Sequence, residues 1–362
     1  MTPYWVSLAL SVGLMLAAQR AGGDSGVLAR DGRKYAMWGV VASAAVLVAL
    51  TGFRYGVGQD YLYTYASYFQ RVRLGYGQQR MEPGFYALNQ AVAWLTDDPT
   101  PMFLACSVIF FGFTYAAIMR ESTNPALSVF LLFGMSFVFT FMNVMRQMTA
   151  VAVLLFSLRY VEERRPVPFA ACVAAAALFH SSAAVFAVAY LFPRLRLTPA
   201  DCALAVLAVA VARAPIASAV NSVIERTQYA AYIGSVFDTG ETGLVVIAMN
   251  LVVLLFSAAA PVAFGKGYEP RYRLLLWCQL VAACVAILSG AIPLSQRVRW
   301  VFSLPAVLLL PSAIDAVGDK RLRFLVQLCV VALYVAYIAI TVGMWNANNV
   351  LPYRSVFDKG IV

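Results

Sequence analysis

An all-α polytopic membrane protein is predicted by three features of the sequence. Hydrophobic residues fill 62% of its 362 positions and charged residues only 12%. Mean hydropathy is +0.76. The apolar residues also gather in eleven stretches, each near the length of a membrane helix. A soluble domain is about half apolar and about a quarter charged, so this composition excludes one. Helices of this kind pack side by side, and a single polytopic transmembrane domain over residues 1–362 is expected.

A hydrocarbon core of about 30 Å needs about 20 apolar residues per helix, fewer where helices are short or broken. The first stretch, Tyr4 to Gln19, has no basic start and reads as a spanning helix, not as a removable leader. The others are Tyr35 to Leu50, Pro101 to Met119, Ala126 to Phe141, Met145 to Val161, Pro168 to Phe192, Pro199 to Val220, Gly243 to Phe264, Leu274 to Ala291, Val298 to Ile314 and Phe324 to Met344. Pro168 to Phe192 lies between Arg164/Arg165 and Arg194/Arg196, so the excess of positive charge on the cytoplasmic side places both its ends there. It must turn, and the polar "HSS" at His180 to Ser182 is its turning point, giving a broken helix or hairpin buried in protein. The count becomes about 11–12.

The short basic loops Arg20 to Lys34, Arg159 to Arg165, Arg194 to Arg196, Lys266 to Arg273 and Lys320 to Arg323 are assigned to the cytoplasm. The opposite, external face then carries the loop 54–98, Asn143 to Gln147, Asn221 to Gly240, Pro293 to Arg299 and the tail from Trp345. Within the loop, Glu82 and Pro83 begin "EPGFYALNQAVAWLTDD", which predicts an amphipathic helix on the membrane surface with Trp94 at the headgroup boundary. The six cysteines lie in apolar runs without paired spacing and read as packing residues. One histidine and no cysteine cluster give no metal site, and no cofactor is expected. No basic, aromatic-interleaved soluble segment is present, which excludes nucleic acid.

The external face bears Arg54, Arg71, Arg73, Arg80, Arg146, Arg297 and Arg299 against the charge rule. Singly each has an ordinary explanation. Arg71, Arg73 and Arg80 can be snorkelling anchors, Asp60 a helix cap, Glu82 a dipole-compensating acid and His180 a satisfied interior polar group. Together, ionisable groups of both signs on one side suggest a polar site for a charged substrate. Arginine suits phosphate because its planar fork binds two oxygens at once. Tyr55, Tyr61, Tyr63, Tyr65 and Tyr68 supply rings for sugars, or form an interfacial belt.

The ordered motifs "FRYGVGQDYLYTY", "EPGF", "NVMRQ", "LFHSS", "SQRVRWVF" and "LPYRSV", from Arg54 to Val356, resemble those of the EpsG-like branch of Wzy-type polysaccharide polymerases. The resemblance implies a bacterial inner-membrane glycosyltransferase, its active site facing the periplasm or exterior. Its substrates would be undecaprenyl-diphosphate-linked oligosaccharide repeat units, as both donor and acceptor. Its partners would be membrane lipids, a flippase and a chain-length regulator. It carries Arg54, Asp60, Glu82, Arg146, Gln147, His180, Arg297 and Tyr353 into the site, and less directly Gly58 and Arg299. Arginines would stabilise the departing diphosphate, with Tyr61 and Tyr65 along the sugar path. Asp60, Glu82 or His180 would be the base, Asp60 being favoured, then His180. The competing readings are an O-antigen-ligase-like transferase, a carrier for a lipid-linked sugar or anion, and a membrane acyltransferase using His180. A carrier should show paired broken helices, whereas only one break is legible in the sequence.

Overall fold

The computed structural model describes residues 1–23, 29–76, 81–227, 230–233 and 243–359. Among them the chain is helical, and its only bridge between extended segments is an isolated antiparallel one from Arg54 to Ser355. Every predicted apolar stretch lies on helix. Five helices are long and apolar enough to cross a membrane, and up to eight spans result if each of three bent pairs counts as one. The remaining apolar stretches form helices outside that count. The chain is a multi-pass membrane protein, organised as two compact units.

The first unit comprises Met1–Ser157, Ala171–Ala183 and Phe324–Val362. Its long helices are α1 (Thr2–Gly23), α2 (Ala29–Gly52) and, after the external loop, α5 (Thr100–Glu121). α1 packs along α2, and α2 along α5. Small residues allow the close approach: a Cβ on Gly39 would sit 2.9 Å from the Ala18 Cβ, and one on Gly52 2.5 Å from Leu104. Buried hydroxyls join the same helices, Ser43 to the Ser11 carbonyl at 2.7 Å and Thr51 to Ser107 at 2.9 Å. In lipid such bonds satisfy groups that have no water to turn to.

Between α2 and α5 lie a π-helical turn over Tyr61–Ala66, α3 (Ser67–Arg73) and α4 (Pro83–Ala93). α4 begins as expected, with Glu82 extended at the N-cap and Pro83 in the first turn. It buries Phe85, Asn89 and Val92, one helical stripe, and leaves Trp94 exposed. After α5, α6 (Pro125–Gly134) is started by the Asn124 side chain, which accepts from Leu127 N–H at 3.2 Å. Ser136, at φ 62°, ends that run, and α7 (Phe137–Asn143) leaves at 51°. α8 (Met145–Glu162) and α9 (Pro166–Ala177) follow. The predicted break at His180 is present: α9 stops at Ala177, and a 3₁₀ helix runs from Ser181 to Arg194.

The second unit comprises Leu158–Ala170 and Ala184–Arg323. It holds α10 (Pro199–Val211), α11 (Arg213–Ile224), α12 (Leu244–Ala263), α13 (Pro270–Leu288), α14 (Ser295–Ser303) and α15 (Ala306–Ala316). α10 opens on a reciprocal capping box between Thr198 and Asp201. The pairs α10/α11 and α14/α15 are bent by 70° and 47°. The sequence reading treated both pairs as unbroken helices. The last helix, α16 (Lys320–Ile338), continues as a π turn to Met344 and leads to the tail of the first unit.

Candidate active site

The segment after α2 is held by the far end of the chain. Tyr55 N–H donates to the Arg354 carbonyl at 2.9 Å, Val356 N–H to Phe53 at 2.8 Å, and Gly58 N–H to Asn349 at 3.0 Å. Tyr4 and Tyr353 hydroxyls donate to the carbonyls of Val350 and Leu50, and Asn143 Nδ2 to Asn348 at 2.7 Å. The terminal "LPYRSV" therefore clamps "FRYGVGQD". Gly58 has φ +94°, and a Cβ there would lie 2.9 Å from the Met142 carbonyl and Asn143 Oδ1. This glycine serves the clamp. Tyr353 is half-buried in it, with its ring edge-on to Tyr4 at 5.5 Å.

Arg54 departs from the sequence expectation. It is 0% exposed and donates to the carbonyls of Thr51 and, at 3.1 Å, Met142. These carbonyls belong to the last turns of α2 and α7, where helix ends carry unsatisfied acceptors and partial negative charge. Its guanidinium carbon stands 4.7 Å from the Phe103 ring centre. Burial pushes its pKa down to about 10, partly offset by neighbouring Tyr61 and Tyr65, so it remains a cation at neutral pH. A fully enclosed cation joining two helix ends presents no face to a diphosphate. The reason is local: the turn at residues 53–58 folds the side chain back between the helices.

The tyrosines also turn inward. Tyr61 stacks on Phe103 at 4.4 Å, while Tyr65 meets Phe103 and Phe85 edge-on at 6.3 and 6.0 Å. Both are under 3% exposed and form an aromatic wall, which differs from the sugar path expected of them. Asp60, by contrast, is half-exposed at the head of the π turn. Its side chain caps no backbone N–H; Thr64 Oγ1 donates to Asp60 Oδ1 at 3.3 Å.

A polar cluster forms where α4, α8 and the His180 break meet inside the first unit. Arg146 pairs with Glu82 Oε2, and Glu82 Oε1 accepts from Ser181 N–H at 3.2 Å. Gln147 Nε2 donates to Ser182 Oγ at 3.2 Å, and Ser182 Oγ lies 2.8 Å from His180 Nδ1. The backbones are pressed together as well, with Gly84 N–H donating to Leu178 at 2.8 Å; a Cβ on Gly84 would meet that oxygen at 2.8 Å. The guanidinium of Arg146 lies 5.7 Å from the centre of the Phe85 ring.

Four predicted residues, Glu82, Arg146, Gln147 and His180, are thus in one network. Arg146 and Glu82 retain partial exposure, 21% and 18% of their side chains. A guanidinium has five donors, and the pair with Glu82 fixes its orientation while using one nitrogen. Ser182 and Asn143, inside quoted motifs but given no role above, are the hydrogen-bonding residues the sequence reading missed. Their signal was a small polar side chain in an apolar run beside a candidate residue. Arg73 forms an exposed ion pair with Asp97 at 3.2 Å, and Arg80 lies outside the described residues.

Arg297 and Arg299 belong to the second unit. Both are half-buried on α14, which Leu294 begins in a left-handed conformation at φ 59°. The segment before it is fastened by Arg213 to the Ser289 carbonyl at 3.0 Å and by Asn221 to Ala291 at 3.1 Å. Arg299 lies 5.9 Å from the Trp300 ring. Among the described residues, no three His, Cys, Asp or Glu side chains are grouped as a metal site.

A family model described as the EpsG family matches residues 37–355, nearly the whole chain. No curated protein and no solved structure matches it.

Proposed function

We propose that this chain, which belongs to the EpsG family of Wzy-like polysaccharide polymerases, joins undecaprenyl-diphosphate-linked oligosaccharide repeat units at the external face of a bacterial inner membrane. The match over residues 37–355 carries the polymerase reading. The Glu82–Arg146–Gln147–His180 network is the local chemistry that supports a site for an anionic, sugar-bearing lipid. A chain-length regulator and a flippase would be its partners.

In this reading the acceptor sugar hydroxyl attacks the donor's anomeric carbon. A new glycosidic C–O bond forms as the bond to the diphosphate breaks, and the bonding pair leaves with undecaprenyl diphosphate. The hydroxyl proton passes to a carboxylate, a role we assign to Asp60, half-exposed at the head of the π turn. Arg146 supplies positive charge to the leaving group. Arg54 and Tyr61 are assigned to the supporting interior.

Purified protein with lipid-linked repeat units should form polymer, and should continue to do so in excess EDTA because arginine charge serves the leaving group. Arg146→Lys keeps the charge but loses the fork, and polymer formation is expected to fall roughly 10²-fold, the usual cost of one preorganised donor. Equal rates in wild type and Arg146→Lys would remove Arg146 from the diphosphate site. Orientation is tested separately. A cysteine at Asp97 should react with an impermeant thiol reagent applied from outside, and one at Arg164 should not; the reverse pattern would put the site on the cytoplasmic side.

A further inference from the structure

His180 is the only histidine in the chain and is 7% exposed. Its Nδ1 faces two groups of Ser182. The backbone N–H of Ser182 points to Nδ1 at 3.3 Å, and the hydroxyl Oγ lies 2.8 Å away. A backbone N–H can only donate, so Nδ1 is an acceptor and carries no proton. The hydroxyl follows the same direction. Gln147 Nε2 donates to Ser182 Oγ, and the hydroxyl hydrogen is then directed at Nδ1.

Turning the Gln147 amide would not reverse this order at no cost. A carbonyl oxygen at that position would take the Ser182 hydroxyl hydrogen, and Nδ1 would need its own proton to bond Oγ. That proton would confront the Ser182 backbone N–H. The peptide is not free to swing away, because the adjacent Ser181 N–H is held by Glu82 at 3.2 Å. The backbone therefore selects the direction of the whole chain of bonds, from Gln147 through Ser182 to His180.

We propose that Ser182 is a positioning residue that, with Gln147, holds neutral His180 with its proton on Nε2, so that the ring meets substrate as a hydrogen-bond donor and not as the base. To accept a proton at Nε2, neutral His180 would need the opposite tautomer, in which Nδ1–H faces the Ser182 N–H. The base is left to a carboxylate, and His180 donates to an oxygen of the lipid-linked sugar or its diphosphate. The substrate contact rests on the polymerase reading; the tautomer does not.

The single histidine makes the test direct. Full-length protein labelled with ¹⁵N-histidine, in lipid nanodiscs at alkaline pH and without substrate, gives one pair of imidazole nitrogen signals. The expected result is a protonated Nε2 and an unprotonated Nδ1. Ser182→Thr should keep that form, and Ser182→Ala, which retains the backbone N–H but loses the hydroxyl, should keep the Nε2–H form as the major one while some Nδ1–H form appears. Gln147→Glu offers only acceptors, so it should draw the hydroxyl hydrogen away and move the ring proton toward Nδ1. A wild-type spectrum with the proton on Nδ1 would overturn the proposal, as would identical spectra for wild type, Ser182→Ala and Gln147→Glu. If Ser182→Ala does not fold, the wild-type and Gln147→Glu spectra still decide.

In the polymerisation assay Ser182→Ala should lose roughly 10- to 100-fold, the usual cost of removing an orienting partner, and Ser182→Thr should recover much of it. A wild-type protein that makes no polymer but shows the Nε2–H form would sink the functional reading and leave the tautomer standing.

Discussion

Arg54→Leu should yield little folded protein, and Arg54→Lys should yield protein that unfolds at clearly lower temperature. Arg54 is wholly buried and supplies donors to the last-turn carbonyls of α2 and α7. Leucine removes the buried cation but leaves both carbonyls without a donor, at about 1–3 kcal/mol each. It also loses the guanidinium packing on Phe103. Against a total stability of about 5–15 kcal/mol, such a loss is large. Lysine keeps a charge, but one ammonium cannot reproduce a planar fork reaching two carbonyls. The measurement is the monodisperse fraction in detergent and its thermal midpoint. Lysine and leucine variants as stable as wild type, yet unable to polymerise, would return Arg54 to the diphosphate.

Asp60→Asn should insert and fold as wild type and lose about 10²- to 10⁴-fold in polymer formation, the usual contribution of a general base. The structure sharpens this expectation. Asp60 heads the π turn, and its side chain does not cap it. Its Oδ1 accepts from Thr64 Oγ1, a role an asparagine oxygen can also fill. What asparagine cannot do is take a proton from a sugar hydroxyl. Initial rates on lipid-linked repeat units, beside thermal midpoints of the two proteins, separate the effects. Wild-type rates in Asp60→Asn would leave Glu82 as the carboxylate, once released from Arg146.

Polar residues in the apolar runs were legible as a set, but not as individuals. Glu82, Arg146, Gln147 and His180 each had a bland explanation in sequence. The structure joins them through Ser181 and Ser182, and the joining is what gives them chemistry. The same reading sent Arg54, Tyr61 and Tyr65 to the substrate, whereas all three face inward. Residue type could not separate these outcomes, since an arginine fork bonds a helix-end carbonyl as readily as a phosphate oxygen, and a tyrosine ring stacks on phenylalanine as readily as on a sugar. Gly58 and Tyr353 were marked in sequence, and their clamp role appeared only once the tail lay beside residue 58.

By itself the sequence determined the helical, membrane-spanning class, the positions of the apolar stretches, the start of α4 at Glu82 and Pro83, and the break at His180. These follow from the length of apolar runs, from proline and capping preferences, and from the cost of polar backbone in lipid, all of which act over a few neighbouring residues. Only the tertiary structure decided the bends at Ser136, Ala212 and the α14/α15 junction, the clamp of the tail on residues 53–58, and which arginine is enclosed and which stays partly open. The clamp depends on partners hundreds of positions away, such as Arg354 for Tyr55 and Val350 for Tyr4. A local pattern carries no record of which distant carbonyl will need a donor, so the side chains that answer that need are assigned only when the helices have packed.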